Sequence, residues 1–148
     1  MQIREAKESD LDGIKHLYAS LRPDDPHLDE IQALTLLRNV VRSEVTSLFV
    51  AETDGLLTST CMLALIPNFA SGGRPIGIIE HVITLPEYRG KGLAKQTIAA
   101  ALVFAWEKRC CKVLLLSGAI RTEAHHLYQS LGFNGDVERG FVIKAPVV

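Results

Sequence analysis

Three groups of residues in this 148-residue chain could do chemistry. The first is Arg89-Gly90-Lys91-Gly92-Leu93-Ala94, with Lys95 just beyond; it lies between an apolar run, Ile76 to Leu85, and a long helical pattern that begins near Leu93. A strand that passes through a basic, glycine-rich turn into a helix start makes an anion site. The free N–H groups of the first helical turn point outward and the helix dipole favours negative charge there. Gly90 and Gly92 let the backbone approach a ligand closely or take up positive φ. The turn lacks the spacing Gly-x-Gly-x-x-Gly and the ending Gly-Lys-Ser/Thr, which disfavours a dinucleotide or a nucleoside triphosphate; a pyrophosphate is the working expectation for the anion. The bland alternative is a plain strand-to-helix turn. The second group is Glu80-His81, two titratable side chains inside the apolar run. Period-2 alternation puts Glu80 on one face with Val82 and Thr84, and His81 on the other with Ile79 and Ile83, unless a bulge changes the phase. The third is Tyr128, near the end of a helical stretch that closes on Gly132-Phe133.

The elements that must position these groups can be read from the periodicity. Gln2 to Ala6 is a candidate first strand. Ser9 is placed as an N-cap, with Asp12 three residues on, and Leu11, Ile14, Leu17, Tyr18 and Leu21 give a first helix one apolar stripe. Pro23 and Pro26 punctuate a turn before a second helix carrying Leu28, Ile31, Leu34, Leu37 and Val41. Leu48 to Ala51 and Leu57 to Ile66 read as a hairpin turned at Asp54-Gly55. After the basic turn, Leu93, Ala94, Ile98, Ala101, Leu102, Ala105 and Trp106 predict a helix buried against a sheet. Lys112 to Ser117 reads as a strand buried on both faces. Thr122 begins a further helix with Ala124, Leu127, Tyr128 and Leu131 on one stripe and Gly132 at its C-terminus. Phe133 to Asp136 and Gly140 to Lys144 are candidate closing strands. The order β-α-α-β-β-β-α-β-α-β-β, without repeat or linker, predicts a single α/β (α+β) domain over residues 1–148, with a mixed sheet flanked by helices.

Bulk properties limit the function classes. The chain is 47% apolar and 22% charged, which is the balance of a soluble globular protein, and its net charge of −1 provides no field to recruit nucleic acid or an anionic membrane. Cys61, Cys110 and Cys111 have neither CxxC nor zinc-finger spacing and make a poor disulfide framework. No signal-peptide pattern opens the chain, and a cytoplasmic location is expected. The longest apolar run, Ile98 to Trp106, is far short of the roughly 20 residues a membrane-spanning helix needs. His125 and His126 are adjacent rather than four apart, so they share no helix face, and no metal site is expected.

Pro86 to Ala94 closely resembles the acetyl-CoA signature of the GNAT superfamily of N-acetyltransferases, Arg/Gln-x-x-Gly-x-Gly/Ala. Leu127-Tyr128-Gln129-Ser130-Leu131-Gly132-Phe133 is similar to that family's second hallmark, at the end of the next helix. The resemblance is good from Ile76 to Phe133 and weak over the first 45 residues. It implies a single-domain GNAT-like fold, with acetyl-CoA as co-substrate, a small-molecule amine as acceptor and no metal. A homodimer is a further implication of the resemblance alone. Arg89, Gly90, Lys91, Gly92, Leu93, Ala94 and Lys95 would hold the CoA pyrophosphate. The backbone of Val82, Ile83 and Thr84 would pair with the pantetheine arm as an added strand, beside the ordinary core role of their side chains. Tyr128 would protonate the departing thiolate, since a phenol of pKa about 10 can donate to a thiolate whose parent thiol is near 8.5; its other reading is packing on its helix stripe.

Acylation needs a neutral amine, and an alkylamine of pKa about 10.4 costs roughly 4–5 kcal/mol to deprotonate at neutral pH. Glu80 is the expected general base, with His81 or a water as the other candidates; a purely structural Glu80 would pair with a cation such as Arg74. Many relatives carry an Asn seven residues before the helix tyrosine, where this chain has Arg121. The competing class is a catalytically silent acyl-CoA-binding module, which would keep Gly90 and Gly92 but need neither Glu80 nor Tyr128.

Overall fold

The computed structural model describes residues 1–147. The larger of two units, Met1–Leu115, holds a five-stranded sheet and three α-helices; a smaller unit begins at Leu116 and holds a fourth. The strands β1 (Gln2–Glu5), β2 (Thr46–Thr53), β3 (Leu56–Ile66) and β4 (Ile76–Thr84) pair antiparallel in sequence order. The last strand, β5 (Lys112–Leu115), lies parallel to β4. Asp54 and Gly55 turn β2 into β3 with φ of 52° and 79°, the positive pair that a two-residue hairpin requires and that Asp-Gly supplies. The middle of β3 is polar yet sealed. Thr58, Ser59 and Thr60 are buried, and their hydroxyls donate to the carbonyls of Ala51 (3.2 Å), Ile83 (2.9 Å) and Phe49 (2.8 Å), which braces three strands together.

Alternation along β2 separates the two faces. Leu48 and Val50 join Ile14, Leu17 and Leu37 in the core beneath α1 (Leu11–Leu21) and α2 (Glu30–Val41), together with Ile83 and Leu85. Phe49 points the other way and meets Phe104 of α3 (Leu93–Glu107) edge-on at 5.7 Å, while Ile98, Ala101 and Ala105 of α3 are fully buried. The first strand of the parallel pair is anchored by Arg74, which donates to the carbonyls of Arg109 (3.0 Å) and Cys110 (2.9 Å).

Several expectations need correction. Ser9 does not cap α1; a 3-10 turn, Glu8–Asp10, precedes it, and the Asp10 carboxylate accepts from the Lys7 N–H at 2.7 Å. The carboxylate that closes the turn also pairs with Arg4, so α1 starts after Asp10 without a side-chain cap. In α2 the buried positions are Ala33 and Leu37, while Ile31 is 80% exposed. Asp29 and Gln32 form a capping box there, which sets the helix start and rotates the expected stripe. Trp106 is half exposed, at the rim rather than under α3. No residue of β5 is fully buried, because it has a neighbour on one side only. Among the described residues, Phe133–Asp136 and Gly140–Lys144 form no strand. Asn134 accepts from the Asp136 N–H at 2.9 Å, a local turn that competes with extension. Further on, Phe141 and Ile143 are 88% and 97% exposed, and a segment of strand-like composition becomes a strand only where another backbone pairs with it.

Candidate active site

The basic turn adopts the shape its glycines permit. Pro86–Tyr88 makes one 3-10 turn, and the chain then passes through Gly90 and Gly92, both with φ of 75°, before α3 starts. No neighbour would crowd a Cβ at Gly90, so conformation rather than space demands glycine there. The first hydrogen bond of α3 runs from the Gln96 N–H to the Gly92 carbonyl at 3.1 Å, and Gly92 provides no side-chain cap. The N–H groups of Gly90 through Lys95 therefore have no protein acceptor among the described residues, the open N-terminus that attracts an anion. Arg89 donates from Nε to the Thr84 carbonyl at 3.3 Å, tying the turn to the end of β4. Lys91 rests its ammonium 4.8 Å from the centroid of the Tyr88 ring.

The strand leading to this turn has two dissimilar halves. Ile76 to Ile79 are paired on both sides, with Ile66–Leu63 of β3 and with Lys112–Leu115 of β5. From Glu80 to Thr84 the pairing is with β3 alone. Leu85 donates to the Thr58 carbonyl at 3.0 Å, so by alternation the N–H groups of Thr84 and, two residues back, Val82 face away from β3 along this open edge. Val82, Ile83 and Thr84 thus present a free strand edge that ends at the anion loop.

A bulge sits at the junction. Thr60 pairs with Ile83 and Met62 with Glu80, so Cys61 faces two residues, His81 and Val82. His81 takes the extra place with φ of 50°. The expected phase is thereby changed: Glu80 lies opposite Met62, which packs on the core under α1, and His81 stacks on Tyr18 of α1 with ring centroids 5.3 Å apart. Adjacent residues thus address the same face, whereas strict alternation separates them. Glu80 is exposed and makes no ion pair among the described residues; Arg74, the expected partner, donates instead to the carbonyls of Arg109 and Cys110. Glu80 acts on Tyr18 nonetheless: burial first, then the charges of Cys61 and Glu80, push the Tyr18 phenol up to about 12.

Tyr128 belongs to the smaller unit, on α4 (Thr122–Ser130). Its helix ends as the sequence predicts. Gly132, with φ of 96°, donates to the Gln129 carbonyl at 3.0 Å, and Phe133 donates to the Tyr128 carbonyl at 3.1 Å, the paired bonds of a Schellman motif. Phe133 meets the Tyr128 ring edge-on at 6.2 Å. His125 Nε2 lies 2.9 Å from the Gly118 carbonyl in the turn before the helix. Arg121 sits at the N-cap of α4, and its N–H donates to the Gly118 carbonyl at 3.1 Å.

An open strand edge thus runs into a helix start with free N–H groups, and a later helix closes on Tyr-x-x-x-Gly-Phe. Comparison with known proteins decides the matter: residues 13–133 match the model of the acetyltransferase (GNAT) family. This chain belongs to the GNAT family. A glucosamine 6-phosphate N-acetyltransferase of Trypanosoma brucei brucei is 31% identical over 134 residues, 90% of this chain and 88% of the relative. The solved structure of a putative acetyltransferase from Agrobacterium tumefaciens superposes with a TM-score of 0.91 at 32% identity, covering 98% of this chain and 100% of the other. An aminoglycoside N-acetyltransferase solved in complex with CoA shares the fold, with a TM-score of 0.82 at 23% identity over 99% of this chain and 95% of that one.

Within this GNAT chain no three His, Cys, Asp or Glu residues among those described stand close enough to hold a metal ion. No helix among the described residues is long and apolar enough to cross a membrane. The three cysteines are free, and burial pushes the Cys61 thiol up to about 12. The neighbour of Glu80 and His81 that the sequence does not reveal is Tyr18. It occupies a position of the α1 stripe where an aliphatic residue would serve packing equally, and only the bulge, a property of two strands together, brings the stripe's tyrosine beside the titratable pair.

Proposed function

We propose that this GNAT protein transfers the acetyl group of acetyl-CoA directly to the primary amine of a small molecule. The observation that carries this reading is the open half of β4, whose unpaired edge leads to the free N–H groups at the start of α3. Pantetheine extends that edge as an added strand along Val82, Ile83 and Thr84, while the pyrophosphate receives the donors of Gly90 through Lys95. Lys91 and Arg89 add positive charge to the same turn.

Such an arrangement would hold the thioester at the bulge beside Glu80. The acceptor amine attacks the thioester carbonyl, forming the C–N bond; the C–S bond breaks as the tetrahedral intermediate collapses. Glu80 takes the amine proton, directly or through water, and Tyr128 gives its phenolic proton to the CoA thiolate. Holding two substrates in register supplies most of the acceleration. An exposed carboxylate without an ion-pair partner supports Glu80 in this role, and the capped helix end that fixes Tyr128 supports the tyrosine in its own. The named relative acetylates an amino sugar phosphate, which supports a small-molecule acceptor. The net charge of −1 gives no support to a nucleic-acid partner.

Release of free CoA thiol from acetyl-CoA against a panel of primary amines tests the proposal, with Tyr128→Phe run alongside. Turnover that falls in the variant supports it. Tight CoA binding with no thiol released by any amine would instead identify a silent acyl-CoA-binding module.

A further inference from the structure

His81 carries two costs that packing alone does not explain. Its φ of 50° places a non-glycine residue in the left-handed region in the middle of a sheet. Its Nδ1 is buried and meets no hydrogen-bond partner, a loss that an apolar ring on Tyr18 would avoid. Glycine or asparagine would take the backbone position more cheaply, and leucine or phenylalanine would fill the space. A histidine that satisfies neither economy retains one distinctive feature, its second ring nitrogen. Nε2 has no hydrogen-bond partner among the described residues and, unlike Nδ1, is not sealed from solvent, so it is the nitrogen that faces outward.

Two further polar groups meet at this place. Glu80, next in the chain, is exposed and unpaired, and its charge reaches the Tyr18 phenol. Tyr18 is half-buried and has no hydrogen-bond partner for its hydroxyl among the described residues. With the phenol pushed up to about 12, Tyr18 stays protonated and is a standing donor. The cluster therefore offers a carboxylate that accepts, a phenol that donates and an imidazole nitrogen that can do either.

We infer that Tyr18 and His81 form a recognition wall beside Glu80, and that the acceptor is a small amine bearing a hydroxyl group next to its amino nitrogen. This rests on the acetyl-transfer reading of the same site and adds the residues that select the acceptor. The amine is directed to Glu80, and the neighbouring hydroxyl accepts from Tyr18 and meets His81 Nε2. A plain alkylamine of equal size would strip water from both groups and return no hydrogen bond, so the site discriminates against it. Tyr18 and His81 are binding residues in this scheme and take no part in the proton transfers.

The test separates recognition from transfer by measuring binding. CoA-loaded protein is titrated calorimetrically with vicinal aminocyclohexanol and with cyclohexylamine, which differ by one hydroxyl. The amino alcohol should bind at least about tenfold more tightly, the worth of a typical hydrogen bond. Tyr18→Phe, which keeps the ring against His81, and His81→Asn, which tolerates the left-handed backbone but lacks the reach, should each cut that advantage to about twofold or less. CoA affinity should be unchanged in both, and melting curves establish folding; if His81→Asn fails to fold, Tyr18→Phe alone decides. Equal binding of the two amines by the unaltered protein, binding of neither, or an advantage that survives Tyr18→Phe would overturn the inference. Preferential binding of the amino alcohol without thiol release would leave the wall standing and remove the transferase reading.

Discussion

The two halves of β4 belong to one continuous strand and differ in how they are paired. Ile76-Gly77-Ile78-Ile79 is paired on both edges and fixed at its start by Arg74, and it joins the antiparallel part of the sheet to β5. Glu80 to Thr84 is paired on one edge, bulged at His81 and left open on the other. The open half carries Glu80, His81 and Thr84, but Val82 and Ile83 within it are as apolar as Ile78 and Ile79, so side-chain character alone does not mark where the edge opens. Pairing does. Where both edges are satisfied the strand is scaffold, and where one is free it can take a ligand as its next neighbour. The proposed chemistry of the chain begins at the residue where the second partner stops.

That contrast can be broken from either side. The largest effect is expected at the turn that terminates the open half. Gly92→Glu would force a side chain into a backbone with φ of 75° and place a negative charge at the anion site, weakening CoA binding by more than about 100-fold in calorimetry. Retained affinity would remove this turn as the pyrophosphate site. Next comes Glu80→Gln, at the first residue of the open half: turnover should drop about 100-fold or more while CoA affinity holds within about twofold, as expected for losing a general base. An unchanged rate would shift the proton transfer to water or His81. Gly77→Ala probes the paired half. A Cβ there would stand 3.0 Å from Val113 Cγ2 and 3.3 Å from Leu63 Cδ1, so overpacking should cost about 1–3 kcal/mol of stability, read as a lower melting temperature. Turnover per folded molecule should stay as it was.

The smallest effect concerns pH. Tyr18 and Cys61 are both raised in the folded state, toward about 12, from ordinary values of 10.0 and 9.0. Each group holds its proton more tightly when folded, so its contribution is fully present below the ordinary value and lost as pH rises toward the raised one. Melting temperature should therefore decline from about pH 9 to about pH 12. Cys61→Ala and Tyr18→Phe should each flatten part of that decline, and a slope unaltered in both would show that neither thiol nor phenol is sealed.

Much of this was legible because it is local. The Asp54-Gly55 hairpin, the Gly90-Lys91-Gly92 turn and the Gly132 helix stop each depend on a few neighbouring residues with fixed dihedral demands, and each forms where the spacing predicts. What escaped depends on a partner elsewhere in the chain. The bulge exists because β3 offers Cys61 alone opposite His81 and Val82, and nothing within β4 announces that count. Gly140 to Lys144 has the apolar, β-branched composition of a strand, yet it pairs with no strand among the described residues. Ser9 has the right chemistry for a cap, yet it lies inside the Glu8–Asp10 turn, which Asp10 closes on the Lys7 N–H while paired with Arg4, a residue of β1.

The thiol of Cys61 lies beneath α3, within 3.7 Å of the Thr97 carbonyl and without solvent contact. A group so enclosed and so reluctant to ionise can meet an alkylating reagent only when the helix lifts from the sheet. It is therefore a native reporter of that opening, in a chain whose Cys111 remains partly accessible as an internal reference. Because α3 begins at the turn proposed to grip CoA, the rate at which Cys61 is labelled should record how firmly the cofactor pins the helix down.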